Sequence, residues 1–184
     1  MKRRFILLYI IVSLITITGC NNKNSEKITF DTDNNGNYTG FDSAIECSSA
    51  EKAVEDGCYV KDGNNFSGTE NWKEFLEAAA RGEDTQLRMV ILSEDNTNEY
   101  IDLFYHDGLY YAFKSASGDL DAKGYKYLLV LKEGKNVNDM TAYAVVLSND
   151  DTLTFANIID NLTSSKSIVI DEPYRIVDFG MKPV

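Results

Sequence analysis

The segment YIDLFYHDGLYYAFK, residues 100–114, reads as two strands joined by a tight turn. Its strand portions, 100–105 and 109–114, are rich in aromatic and β-branched residues. Asp107-Gly108 between them is the strongest short hairpin signal in the chain. Leu109, Tyr111 and Phe113 alternate with Tyr110, Ala112 and Lys114, which assigns the first set to a core face and the second to the opposite one. His106, beside the turn, is expected at the surface.

Working outward, the two-residue period continues on both sides. Residues 85–92 precede the hairpin as a strand, and 125–131 and 140–147 follow it, with a turn expected at Glu133-Gly134-Lys135. Closing strands are expected at 167–170 and 174–179. Short connections disfavour parallel crossovers and point to an antiparallel meander.

Helices flank these strands. Ser48-Ser49-Ala50-Glu51 matches a capping box for a short helix ending at Gly57. Tyr59 and Val60 then begin a short strand that Asp62-Gly63 ends. Ser67-Gly68-Thr69-Glu70 matches a second box, and after it Trp72, Phe75, Leu76 and Ala79 share one helical face. Trp72, the sole tryptophan, is expected as a core anchor. A last helix over 153–162 is expected to be capped from Asn149-Asp150-Asp151. The predicted fold class is therefore α+β: an antiparallel sheet of about five to seven strands with two or three helices packed on one face.

With 29 acids against 18 Lys and Arg the net charge is −11. Such a surface repels phosphate backbones and disfavours nucleic acid as a partner. Cys47 and Cys58 invite a disulfide, but a helix between them would hold them about 16 Å apart. A bridge needs Cα atoms within about 7 Å, so helix and bridge exclude one another, and the spacing favours the helix.

The chain opens with Lys2, Arg3 and Arg4, followed by an apolar run over 5–17 that is shorter than the roughly 20 residues of a membrane span. Ile17-Thr18-Gly19-Cys20 then resembles the lipobox of bacterial lipoproteins. That resemblance implies cleavage after Gly19, diacylglycerol on the Cys20 thiol, and location at the extracytoplasmic face of the cell membrane. Its implied organisation is a signal peptide over 1–19, a lipidated N-terminus and polar tether over 20–44, and one α+β domain over 45–184.

Within 20–44, DTDNNGNYTGFD (residues 31–42) carries oxygen donors at the spacing of a calcium loop. Asp31, Asp33 and Asn35 fall at positions one, three and five, Gly36 at six, Asn37 at seven, Thr39 at nine and Asp42 at twelve. It is similar to the loops of EF-hands and dockerins, and the implied ligand is Ca2+ through Asp31, Asp33, Asn35, Asn37 and Asp42. It departs from them in having Tyr38 at position eight, no helix before the loop and a single copy. The competing reading is a polar linker.

Nothing in the sequence forms a catalytic set. His106 is the single histidine, and no G-x-S-x-G, zinc-protease helix or phosphate-binding glycine loop is present. Carboxylates could serve a hydrolase of the cell envelope, although no particular pair is indicated. Tyrosines crowd residues 100–127, which as strand residues mostly pack on one another. Tyr110 would be the candidate for a stacking patch.

The order of features after residue 45 is similar to a family of small, uncharacterised lipoproteins of Gram-positive bacteria. The matching pieces are AEKAVEDGCYV (50–60), the Trp72-Lys73-Glu74-Phe75-Leu76 helix, the hairpin about Asp107-Gly108, and YAVVLSNDDTLTF (143–155). The resemblance implies no activity. The expected function is a lipid-anchored, non-enzymatic binding or interaction domain, bound to the membrane through Cys20 and carrying no catalytic cofactor.

Overall fold

The computed structural model describes residues 30–34, 37–42, 49–93, 95, 97–116, 122–137, 140–164 and 174–183. The expected signal segment 1–19 with Gly19, the anchor Cys20, Asn35, Gly36, Cys47 with its possible bridge, and the strand expected at 167–170 lie outside them.

The chain is α+β, and its strands divide between two sheets. The order is α1 (Ala50–Glu55), β1 (Tyr59–Asp62), β2 (Asn65–Ser67), α2 (Thr69–Ala80), β3 (Thr85–Leu92), β4 (Glu99–His106), β5 (Leu109–Lys114), β6 (Tyr127–Val137), β7 (Met140–Ser148), α3 (Phe155–Thr163) and β8 (Tyr174–Pro183). The first sheet has the order β2-β1-β3-β4-β5 and the second β6-β7-β8. All pairings are antiparallel except β1 with β3. That pair is parallel because β2 and α2 intervene and form the crossover that short loops cannot supply.

At the Asp107-Gly108 turn both residues have positive φ, 49° and 80°, as a type I′ hairpin requires. Elsewhere the local signals differ from expectation. Ser49, not Ser48, caps α1, its hydroxyl accepting from the Lys52 amide at 3.3 Å. Ser67 cannot cap α2, because it is paired with Val60 in β2. Gly68 takes that place with φ +69°, and a Cβ there would meet the Cys58 carbonyl at 2.3 Å. The Asn71 amide group donates to that same carbonyl at 2.9 Å. Thr154, in a reciprocal box with Asn157, caps α3. No turn forms at Glu133-Gly134-Lys135; β6 continues to Val137, with a register shift between Lys132 and Asn136 absorbing the irregularity.

The main core lies between the sheets. Leu87, Met89, Ile101, Leu103 and Ala112 face Tyr143, Val145, Leu147 and Val177, with Phe75 of α2 packed among them. Trp72 stacks on Tyr59 at 5.3 Å, as an anchor of this core. α1 covers the opposite side of the first sheet through Ala53, against Val60 and Val90. α3 covers the outer side of the second sheet through Ile158, against Ala144 and Val146. Each buried Phe, Ile or Leu contributes about 1.5–3 kcal/mol by leaving water.

Candidate functional site

One region of the first sheet's α1 side is left uncovered by α1, and residues 30–34 and 37–42 cover it. Thr32 and Tyr38 form an antiparallel bridge. The Asp33 amide donates to the Asn37 carbonyl at 2.9 Å, and the Thr39 amide to the Asp31 carbonyl at 2.8 Å. The segment is therefore a small hairpin. Phe30 packs on Tyr111, Phe104 and Phe113 at 4.7, 5.0 and 5.4 Å. Tyr38 stacks on Phe113 at 4.1 Å and is 6 % exposed. Thus Tyr38, the residue that departs from the calcium-loop pattern, seats the segment together with Phe30.

Beneath the hairpin, the β3–β4 register sets Arg88 opposite Asp102. The guanidinium donates to both carboxylate oxygens at 2.6 Å, and the Tyr38 hydroxyl donates to the same carboxylate at 2.7 Å. Arg88 also donates to the Gly40 carbonyl at 3.0 Å, tying the hairpin's second strand to the sheet. A Cβ at Gly40 would collide with the Tyr38 hydroxyl at 2.0 Å, so only glycine lets the phenol lie there. Burial, and then the Asp102 bond, push the Tyr38 phenol far above its ordinary value. The Asp102 bond raises Arg88 further. Both groups keep their neutral-pH forms. A cavity of about 420 Å³ opens here, lined by Asp31, Tyr38, Asp56, Cys58, Arg88 and Asp102.

A second cluster joins the two sheets. Lys61 of β1 donates to Asp178 of β8 at 2.6 Å and to the Phe179 carbonyl at 3.3 Å. The Tyr143 hydroxyl donates to the other oxygen of Asp178. Burial, then Asp178, drive Tyr143 well above the usual phenol range, and the same two causes push Tyr59 up to about 12.

The central hairpin departs from the surface position expected for His106, whereas Tyr110 packs on neighbouring rings as expected of a strand tyrosine. His106 is not a surface turn residue: it ends β4 buried, its Nδ1 2.7 Å from an Asp84 oxygen, with Phe30 against its ring. Tyr110 is not on an open face. Its ring packs against Phe75 and Tyr105, and its backbone pairs with Tyr125 through bonds of 2.7 and 2.9 Å. Tyr110 and Ala112 face the inter-sheet core, whereas Tyr111 and Phe113 face the 30–42 hairpin.

Of the calcium donors, Asp31, Asp33, Asn37 and Asp42 lie on the docked hairpin, and Asn35 is outside the described residues. The Asp33 carboxylate accepts from the Asn37 backbone and side chain at 2.9 and 3.1 Å. Among the described residues no three His, Cys, Asp or Glu side chains are grouped as a metal site. Arg88, Asp102, Lys61 and Asp178 were not singled out by sequence. Their one signal was a charge set beside apolar residues within a strand.

Both buried carboxylates are held in the same way. The buried carboxylates Asp102 and Asp178 are each clamped by a cation and a phenol instead of facing one another. No protein-family model, curated protein or solved structure matches this chain.

Proposed function

We propose that the protein is a lipid-anchored domain on the outer face of the cell membrane, held through Cys20, that binds an envelope or protein ligand rather than catalysing a reaction. The reading keeps it with the small Gram-positive lipoproteins that its sequence resembles. The observation that carries it is the docking of residues 30–42. Phe30 lies only ten positions after Cys20, and a chain spans at most ~3.6 Å per residue. A lipid on Cys20 would hold the folded domain within about 36 Å of the bilayer, so its ligand is one met at the membrane surface. The saturated clusters about Asp102 and Asp178 favour binding over hydrolysis by carboxylates, because general acid–base work needs a carboxyl able to exchange its proton.

Radiolabelled palmitate fed to a bacterial host expressing the full chain tests the anchor. Label in the membrane-associated protein, abolished by Cys20→Ala, is the expected result. An unlabelled wild-type protein recovered in the medium would overturn the reading.

A calcium-stabilised module is the second reading. It is favoured by the donor order of residues 31–42, carried on a hairpin whose docking would couple any bound ion to the stability of the domain. At a hundredfold excess over Kd, calcium would stabilise by about 2.7 kcal/mol. Thermal melts with calcium and with chelator should differ for the wild type and coincide for Asp31→Ala/Asp33→Ala. Coincident wild-type melts would remove the ion from the account.

A further inference from the structure

Cations are the minority in this chain, yet two lie over the Tyr143 ring at the junction of the two sheets and a third is its cross-strand neighbour. Lys61 crosses from β1 to lie with its Nζ 5.4 Å from the centre of the Tyr143 ring. Lys182 of β8 reaches the same ring at 6.0 Å. Lys132 of β6 is the direct cross-strand partner of Tyr143, and Lys182 the partner of Thr141, two residues along on the same face. The register thus brings lysines from three strands to one place.

Their charges are poorly balanced. Asp178 is buried and already shared between Lys61 and Tyr143. Among the described residues neither Lys132 nor Lys182 forms an ion pair. Burial, and then Lys132 itself, hold the Lys182 ammonium below its ordinary value, the signature of two cations pressed together. Like charges so placed destabilise the fold unless an anion joins them. There is also room. β8 presents Gly180 opposite Tyr143, where a Cβ would stand 3.2 Å from Lys61 Nζ and 3.5 Å from the Tyr143 hydroxyl.

We infer that Lys61, Lys132 and Lys182 form a binding site for a phosphate group at the solvent-facing end of the inter-sheet junction. With Asp178 counted, the cluster offers two uncompensated positive charges, the complement of a phosphate monoester or inorganic phosphate. Compact ammonium groups bind phosphate as point charges, without the planar fork that carboxylates favour. A phosphodiester of a lipid headgroup shares this chemistry with one charge fewer.

The test is calorimetric titration of the full chain in detergent, at constant ionic strength set with chloride. The probes are inorganic phosphate and glycerophosphoglycerol, a soluble headgroup diester. Saturable binding of either is expected, weakened about tenfold or more by Lys132→Gln/Lys182→Gln. Tighter binding of inorganic phosphate would assign the site to a free monoester or phosphate, and tighter binding of the diester to a lipid headgroup. The double variant should keep its near-ultraviolet spectrum and melt no lower than wild type in chloride, since it also relieves repulsion. Lys132→Gln alone, on an exposed position of β6, provides the milder variant. Heats indistinguishable from those of chloride, or binding unchanged in both variants, would overturn the inference.

Discussion

At the scale of single residues, the buried carboxylates Asp102 and Asp178 are each engaged by a cation and a phenol. Asp102→Ala would strand both Arg88 and Tyr38, and should cost about 3 kcal/mol in urea denaturation, the lower part of the range for breaking a buried pair. Arg88 keeps 27 % of its side chain in solvent and recovers some hydration. Tyr38→Phe removes only the hydroxyl and should cost about 1 kcal/mol. A larger loss from Tyr38→Phe than from Asp102→Ala would contradict the assigned hierarchy. The phenols also set a pH dependence. Tyr38, Tyr59 and Tyr143 are raised chiefly by burial, so the folded state prefers them protonated. Below about pH 10 an unfolded tyrosine is protonated as well, and these groups add no slope. Above it the unfolded chain ionises first, so stability falls as pH climbs through the folded values, which is about 12 for Tyr59. Midpoints in urea should decline from pH 10 upward, more gently in Tyr38→Phe. These residues were hard to find in the sequence because an ion pair across a sheet depends on register, and register is fixed only once strands are paired.

Among the elements, strands with a strong period were legible. β3 and β5 begin and end where composition places them, and Asp107-Gly108 turns as its chemistry requires. What could not be read was which side each strand residue faces. β5 is covered on one face by the second sheet and α2 and on the other by the 30–42 hairpin, so Ala112 and Phe113 are equally buried. Alternation identifies a face only where the opposite face is wet. β2 is only Asn65–Ser67, too short for a periodic signal. The α2 cap misled because Ser67 has the right spacing and is committed to a sheet. Glycine substitutions test that start. Gly57→Ala and Gly68→Ala both place a side chain at positive φ, costing about 1–2 kcal/mol. At Gly57 the added carbon meets open space, and at Gly68 it meets a backbone carbonyl at 2.3 Å. Gly68→Ala should therefore lower the melting temperature more, and equal losses would show that the contact relaxes.

For the molecule as a whole, residues 30–42 become the third layer on the first sheet. Taken from the sequence this segment is polar and rich in Asp and Asn, legible as a calcium loop or a tether, with only Phe30, Tyr38 and Phe41 to suggest docking. Those three rings are what the sheet's Phe104 and Phe113 lack on that side. The same hairpin lines a cavity and joins the domain to the chain that leads to Cys20, so under the proposed reading the anchor and the cavity would lie at one end of the fold. Amide hydrogen exchange tests that layer most directly, read at Asp33 and Thr39, whose N–H groups bond to Asn37 and Asp31. Protection at both sites approaching that of β4, and lost in Asp102→Ala while β7 stays protected, is the result this account requires. Exchange at Asp33 and Thr39 as fast as in an unfolded peptide, with the sheets protected, would contradict it.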